Sequence, residues 1–281
     1  MCIRDRVAGA GWPVALLEHP GSDAVAVQAL LEGRQPFDGT KALKQRLQDL
    51  AGVLQAQKLQ QLPLKGNRVV LAGHSLGALT ALLSAGAEPR QGMGARCRQA
   101  LKDLPLTNLS RLLQCELAEG DALRWVGDKP QPAAVVGLNS LGSLVWAPGP
   151  PSQWPVPLLL LGGTLDLITP PLDEQVGVFS ALASHPTSRV VVVEGASHFS
   201  PIRVGEPMAA ERNDDLFQLG EELVGMDPIS VQAVIGFEVI NFLESVALGA
   251  SATESQHFRR GDVRWHRLNR QAAADLSARH Q

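Results

Sequence analysis

Short apolar runs alternate with segments of helical periodicity along most of the 281-residue chain. The apolar runs are five or six residues long and have the composition of buried strands. They lie at Pro13–Glu18, Arg68–Ala72, Ala133–Leu138, Val156–Leu161 and Arg189–Glu194. Helices are predicted between them, at Asp23–Leu31, Lys41–Gln57, Leu76–Ala85 and Asp173–Ser184. This alternation predicts an α/β fold with a mostly parallel sheet and helices on both faces.

Residues 86–131 interrupt the alternation, because they contain no strand-like run. Thr107–Ser110 has the residue types of a helix start, and a short helix is expected to follow it through Leu117. We therefore predict a small helical cap, inserted after the helix Leu76–Ala85.

The C-terminal part of the chain predicts one long closing helix. Asp227 and Pro228 suit its N-cap and first position, and Gly249 suits its end. Its apolar stripe consists of Val231, Ile235, Val239, Phe242 and Val246. Residues 251–281 are polar and are predicted to be a surface tail that is partly helical. The first six residues, MCIRDR, are interpreted as a non-native leader, which leaves one domain over residues 7–250.

Composition narrows the possible functions. A hydrophobic fraction of 45% with 19% charged residues is ordinary for a globular protein. The formal net charge of −3 gives no basis for binding nucleic acid or an anionic membrane surface. We expect no integral membrane span, on the premise that no apolar run approaches the ~20 residues that a span needs. Tyrosine is absent and aromatic residues are only 4%, so a substrate pocket is expected to be mostly aliphatic.

The sequence does not decide whether its cysteines are free thiols or form a disulfide. Cys2, Cys97 and Cys115 form no C-x-x-C pair, which argues against a structural zinc site, and no metal or cofactor is expected. Cys97 and Cys115 flank one short segment of the predicted cap. They are either a disulfide, if the protein is exported to an oxidising compartment, or two free thiols.

The most specific pattern is the pentapeptide GHSLG at residues 73–77, a match to G-x-S-x-G. It lies between a predicted strand and a predicted helix, where such a serine occupies a sharp turn and is exposed for attack. The turn strains the serine backbone, and side chains at Gly73 or Gly77 are expected to collide with neighbouring elements. Ser75 is therefore the candidate nucleophile.

A serine nucleophile needs an imidazole to accept its proton, and the imidazole needs a carboxylate to fix its tautomer. In this fold both are expected in chain order after the following strands. Asp166 lies in the loop GGTLDLITP after one strand, whereas its competitor Asp173 lies where a helix begins and suits the helix dipole better. His198 lies in a loop of small residues after the last predicted strand. The other six histidines lack the required order or position.

An oxyanion formed during acyl transfer needs two backbone N–H donors. The amide of Leu76 is one candidate. The second is expected from a loop upstream of Pro13–Glu18, which this sequence does not contain, so we expect N-terminal strands to be missing.

His74 is expected to point away from the catalytic histidine, and it joins Trp146 and Phe199 as a candidate for binding substrate.

With GHSLG, GGTLDLITP and EGASHFSP in place, about Val7 to Leu248 resembles α/β-hydrolase esterases. The segments EHPGS (Glu18–Ser22) and TNLSRLLQC (Thr107–Cys115) are similar to a bacterial branch related to platelet-activating-factor acetylhydrolases and described as dienelactone-hydrolase-like. The resemblance implies an α/β-hydrolase fold in which Ser75 is the nucleophile, Asp166 the orienting acid, His198 the general base and acid, and Leu76 an oxyanion donor.

The sequence departs from the family pattern at its N-terminal end. The family's His-Gly oxyanion loop has no counterpart in this sequence. Members of the branch are often exported, which implies a periplasmic or secreted location and fits a Cys97–Cys115 bridge.

We therefore expect a serine esterase that acts through an acyl-enzyme on small or medium acyl esters. A thioesterase, lipase or amidase is the nearest alternative, because the three residues do not choose the leaving group. An α/β-hydrolase fold that only binds a ligand or partner is the other alternative, although such proteins usually lose one of the three residues. The sequence predicts no oligomeric state.

Overall fold

The computed structural model describes residues 2–21, 29, 34, 38–64, 66, 68–102, 108–118, 123–125, 130–146, 154–202, 226–252 and 254–280. In these residues one sheet contains β1 (Val70–His74), β2 (Ala134–Leu138), β3 (Leu158–Gly163), β4 (Arg189–Val193), β5 (Gln256–Arg260) and β6 (Val263–Leu268). The strand order is β1-β2-β3-β4-β6-β5. Strands β1 to β4 are parallel, and β6 and β5 continue the sheet antiparallel. The predicted α/β fold with a mostly parallel sheet is confirmed.

The helices of the described residues are α1 (Ile3–Gly9), α2 (Gly39–Lys58), α3 (Leu76–Ser84), α4 (Met93–Ala100), α5 (Ser110–Leu117), α6 (Val178–Leu182), α7 (Pro228–Leu248) and α8 (Arg270–His280). A seven-residue π-helical segment, Pro171–Gly177, leads directly into α6. At the start of α2, the Asp38 carboxylate accepts a hydrogen bond of 2.8 Å from the Lys41 amide, which satisfies an N-terminal N–H group. The predicted helix Asp23–Leu31 lies outside the described residues, apart from Ala29.

The sheet separates two apolar layers. Because side chains alternate along a strand, β3 directs Leu158 and Leu160 into one layer and Leu159 and Leu161 into the other. The first layer packs against α2, α3 and α8, and the second packs against α7. Each fully buried leucine stabilises the fold by roughly 2 kcal/mol. The burial of both faces explains why β2, β3 and β4 are nearly continuous apolar runs in the sequence.

The closing helix α7 begins and ends at the predicted residues. The Asp227 carboxylate accepts hydrogen bonds of 3.3 and 3.0 Å from the amides of Ile229 and Ser230, and Pro228 is the first helical residue. Gly249 ends the helix in the left-handed conformation, with φ of 65°. Of the predicted stripe, four residues are buried and Val246 is half-buried; the buried ones are Val231, Ile235, Val239 and Phe242.

The premise that no apolar run approaches the length of a membrane span is wrong for this helix. By length and composition α7 is apolar enough to cross a membrane, with a mean hydropathy of 1.5 over an 18-residue window. Polar residues such as Gln232 and Glu238 interrupt the run and hide this in the sequence. Half of the window is buried inside the fold, and the buried Glu238 carboxylate pairs with the Arg267 guanidinium at 2.8 Å. The core helix of a globular domain has these same properties.

Two predictions of regular structure are also wrong. Pro13–Glu18 forms no strand, and its side chains are mostly exposed. It lies outside the described sheet, in which β1 is an edge strand. Residues 256–268 are a β-hairpin rather than a surface tail, so β4 is not the last strand. In the hairpin the apolar Phe258, Val263 and Trp265 pack on the second layer. Their arginine and histidine neighbours conceal the apolar side of the hairpin in the sequence.

The predicted cap contains α4 and α5. Cys97 and Cys115 join these two helices by a disulfide, with their Cα atoms 5.3 Å apart. At the start of α5, the amide of Leu109 donates to the Leu167 carbonyl at 3.3 Å, and the amide of Ser110 donates to the Ile168 carbonyl at 2.9 Å. The cap is therefore held against the loop that follows β3.

Candidate active site

Ser75 occupies the turn between β1 and α3, with φ of 53° and ψ of −120°. A residue other than glycine rarely adopts such a positive φ, which costs of order 1–3 kcal/mol. Two hydrogen bonds of 2.9 Å hold the turn: the Ser75 amide donates to the Leu138 carbonyl at the end of β2, and the Ser75 carbonyl accepts from the Ala78 amide. Ser75 is half-buried.

The two glycines that flank Ser75 have different roles. A Cβ atom at Gly73 would lie 2.2 Å from the backbone carbonyl group of Gly77, which is fixed in the first turn of α3. At Gly77 the nearest atom to an added Cβ would be Nη1 of Arg46 at 3.9 Å, an ordinary contact. The predicted collision is therefore present at Gly73 and wrong at Gly77.

Gly73→Ala is expected to lower the free energy of unfolding by about 3 kcal/mol, because α3 must shift to admit the methyl group. Gly77→Ala is the matched control, and we expect it to be neutral or to stabilise by up to about 1 kcal/mol through helix propensity. Urea denaturation of both variants measures the difference. Equal destabilisation by the two substitutions would contradict this assignment of roles.

The structure brings Asp166 and His198 together at the carboxyl ends of β3 and β4. The two side chains are buried, with Asp166 1% exposed and His198 6% exposed, and His198 Nδ1 lies 2.9 Å from Asp166 Oδ2. Because an ionised carboxylate only accepts hydrogen bonds, the proton of the neutral imidazole is on Nδ1. His198 Nε2 is then left unprotonated and able to accept a proton.

Five donors surround the Asp166 carboxylate. Oδ2 accepts from His198 Nδ1, from Asn139 Nδ2 at 2.6 Å and from Thr169 Oγ1 at 2.6 Å. Oδ1 accepts from the amides of Ile168 at 2.9 Å and Thr169 at 2.7 Å. Burial raises the pKa of Asp166, but the hydrogen bonds from His198 and Thr169 outweigh it, so the pKa of this carboxyl is lowered overall. Asp166 therefore stays ionised at neutral pH.

His74 faces His198, so the expectation that it points away is wrong. Its Nε2 atom lies 2.7 Å from the His198 backbone carbonyl oxygen, and the two ring centroids are 4.8 Å apart. Burial, and then the electrostatic interaction with His198, lower the pKa of His74 from 6.5 to about 4. Because of this low pKa, His74 is neutral at neutral pH. Its one ring proton is on Nε2, since the carbonyl oxygen only accepts hydrogen bonds. Its contact holds the backbone of His198, and Phe199 lies edge-on to the His198 ring with a centroid distance of 5.2 Å.

The low pKa of His74 predicts a loss of stability in weak acid. The unfolded chain binds a proton at His74 near pH 6.5, whereas the folded chain resists it until about pH 4. The free energy of unfolding should therefore fall as pH drops from about 6.5 to about 4. His74→Gln keeps an amide donor and cannot titrate, so its unfolding free energy should depend less on pH in this window. An unchanged pH dependence in folded His74→Gln would contradict this prediction.

Two other candidates for substrate contact differ in position. The Leu76 amide is at the first position of α3, directly after Ser75. Trp146 is not brought to the site: it is 1% exposed in the first apolar layer, and its Nε1 donates to the Glu88 carbonyl at 3.1 Å. A cavity of about 1060 Å³ lies between α2 and β1, and it is lined by none of Ser75, Asp166 and His198.

The competitor Asp173 lies away from His198 and forms an ion pair of 3.2 Å with Arg111. Its neighbour Glu174 is fully buried in the π-helical segment and joins the cap to the loop after β2. The Glu174 carboxylate accepts from Asn108 Nδ2, Ser110 Oγ, Gln114 Nε2, Ser143 Oγ and the amides of Gly142 and Ser143. This network keeps the first turn of α5 against the π-helical segment and the loop after β2.

The sequence analysis missed Asn139 and Thr169, which both contact Asp166. The available signal was their position, since polar residues just past the carboxyl ends of parallel strands tend to converge. The hydroxyl of Ser75 and the ring of His198, both in the described part of the chain, form no hydrogen bond with each other. Such bonds are often long without substrate and tighten in its presence.

The order of these elements has a counterpart among known families. A model described as the alpha/beta hydrolase family matches residues 7–211, well over half of the chain. The chain belongs to the alpha/beta hydrolase family. The matched range of this α/β-hydrolase includes Ser75, Asp166 and His198, together with the cap. A search of curated proteins finds no match.

Proposed function

We propose that this α/β-hydrolase is a serine carboxylic-ester hydrolase, with Ser75 as nucleophile, His198 as general base and acid, and Asp166 as the orienting acid. The buried Asp166–His198 pair carries the proposal, because its hydrogen bond of 2.9 Å leaves His198 Nε2 free to take a proton. The strained turn at Ser75 gives further support, since it presents the hydroxyl outside the sheet.

The reaction proceeds through an acyl-enzyme. Ser75 Oγ attacks the ester carbonyl carbon while its proton moves to His198 Nε2. The resulting oxyanion accepts a hydrogen bond from the Leu76 amide, which has no acceptor within α3 at this position, and the helix N-terminus adds a partial positive charge. His198 then protonates the leaving alkoxide oxygen, the C–O bond breaks, and the acyl group remains on Ser75.

The second half of the reaction repeats these roles with water. His198 Nε2 takes a proton from a water molecule, whose oxygen attacks the acyl carbon. Collapse of the second oxyanion breaks the bond to Ser75 Oγ, which recovers its proton from His198. The products are a carboxylic acid and an alcohol, and each step uses only the chain, the substrate and water.

A panel with one acyl group tests the substrate class. We would compare p-nitrophenyl butyrate, a butyryl thioester and butyryl p-nitroanilide, and we expect the highest kcat/KM for the ester. A higher kcat/KM for the thioester or anilide would replace the esterase assignment by that activity. If none of the three is turned over in a Ser75-dependent way, the proposed function is wrong.

A further inference from the structure

Asn139 lies directly after β2, between the Ser75 turn and the Asp166 loop. It is 1% exposed, and its backbone has a positive φ of 47°. Its amide donates to the Leu161 carbonyl at 2.7 Å, and its carbonyl oxygen lies 3.2 Å from Thr169 Oγ1, whose proton is donated to Asp166 Oδ2. The bond to Leu161 holds the backbone of Asn139 just past the end of β2.

The side chain of Asn139 points at the Asp166 carboxylate. Nδ2 donates to Asp166 Oδ2 at 2.6 Å and also faces the Ser197 carbonyl at 3.5 Å. The end that faces a carboxylate has to be the nitrogen, because two oxygens without a proton repel each other. Oδ1 consequently points elsewhere, and it is buried with no hydrogen-bond partner among the residues that the structure describes.

Asn139 combines two features that cost stability. A buried acceptor without a partner costs about 1–3 kcal/mol, and a positive φ adds strain even though asparagine tolerates it better than most residues. Glycine would adopt this φ without strain and would bring no orphaned oxygen. The turn therefore does not require a side-chain amide at this position. The hydrogen bond to Asp166 is the interaction that accounts for it.

We propose that Asn139 is a positioning residue for Asp166: its amide fixes Oδ2 where this oxygen accepts the Nδ1 proton of His198. The proposal rests on the function proposed above. Oδ2 is the oxygen that His198, Asn139 and Thr169 share, while Oδ1 is held by backbone amides. Without the Asn139 amide, Oδ2 loses the one side-chain donor that approaches from the β2 side.

The proposal makes a specific prediction about acidity. A hydrogen bond to the ionised form lowers the pKa of a carboxyl, and a neighbouring carboxylate raises it. Asn139→Gly removes a donor from Asp166, and Asn139→Asp places a second carboxyl against it. Both should raise the pKa of Asp166, the second more strongly. Within the described ranges, the other titratable groups that face Asp166 are His198 and His74, and both variants leave them in place.

The test uses the full chain with Asn139→Gly, Asn139→Asp and a control, Ser140→Ala. Ser140 is buried next to Asn139, and its hydroxyl donates to the Leu141 carbonyl rather than to Asp166. We expect Asn139→Gly to lower kcat about 10- to 100-fold with little change in KM. The acid limb of the kcat–pH profile should move to higher pH in both Asn139 variants. Ser140→Ala should keep the wild-type kcat and profile.

A readout without turnover separates this inference from the proposed function. The His198 Nδ1 proton, assigned in the NMR spectrum by its loss in His198→Ala, should move or broaden in both Asn139 variants and stay unchanged in Ser140→Ala. If the wild-type chain shows no Ser75-dependent turnover, the proposed function fails and this resonance still tests the role of Asn139. An unchanged resonance in both folded Asn139 variants, or an equal effect in Ser140→Ala, would overturn the inference.

Discussion

Replacement of Ser75 by alanine is expected to lower kcat for ester hydrolysis by about 10⁴-fold or more. The proposed reaction needs a covalent bond between Ser75 Oγ and the acyl group, and alanine has no oxygen to form it. The fold should persist, because the Ser75 hydroxyl makes no hydrogen bond within the described chain and the backbone bonds of the turn remain.

The measurement is steady-state hydrolysis of p-nitrophenyl butyrate, together with urea denaturation of the same samples. Ser245→Ala is the matched control, since it removes a hydroxyl that donates to the Asn241 carbonyl within α7, at 2.7 Å. We expect it to keep the wild-type kcat. Turnover by Ser75→Ala at a rate close to wild type would remove the basis of the proposed mechanism.

Asp166→Asn is expected to lower kcat by about 10⁴-fold, although it changes one atom of a buried side chain. The carboxylate accepts the Nδ1 proton of His198, whereas an asparagine amide can donate to Nδ1 and favour the tautomer with the proton on Nε2. His198 could then no longer take the proton of Ser75. The four remaining donors around Asp166 would also meet an amide in place of a charge.

Asp173→Asn is the control for this prediction, because Asp173 was the competing acid in the sequence. It pairs with Arg111 near the surface, and loss of such an ion pair costs ~1 kcal/mol or less. We expect kcat of Asp173→Asn to stay close to wild type. A larger loss in Asp173→Asn than in Asp166→Asn would reverse the assignment of the acid.

The positions of the three candidate residues could be predicted because each follows a strand that is a short apolar run in the sequence. The carboxyl ends of such strands can be located to within one or two residues. Helix α7 could be predicted for a local reason, since Asp227, Pro228 and Gly249 define its ends through their own backbone chemistry. Each of these signals lies within a few residues of the feature that it predicts.

The errors concern features that depend on distant parts of the chain. An apolar run such as Pro13–Glu18 becomes a strand only where a neighbouring strand accepts its hydrogen bonds. The hairpin of β5 and β6 alternates apolar and charged residues, so its average polarity favours a tail. Trp146 has an indole N–H that can bind a substrate, but the distant Glu88 carbonyl accepts it in the core. Asn139 is one polar residue in the sequence, and only the fold brings it to Asp166.

The central claim is that Ser75 is a nucleophile activated by His198, and intact-mass spectrometry after treatment with a fluorophosphonate tests it most directly. This reagent phosphonylates an activated serine and adds a defined mass. The account predicts one adduct on the wild-type chain, no adduct on Ser75→Ala and greatly slowed labelling of His198→Ala. An adduct that persists on Ser75→Ala, or a folded wild-type chain that is not labelled, would contradict it.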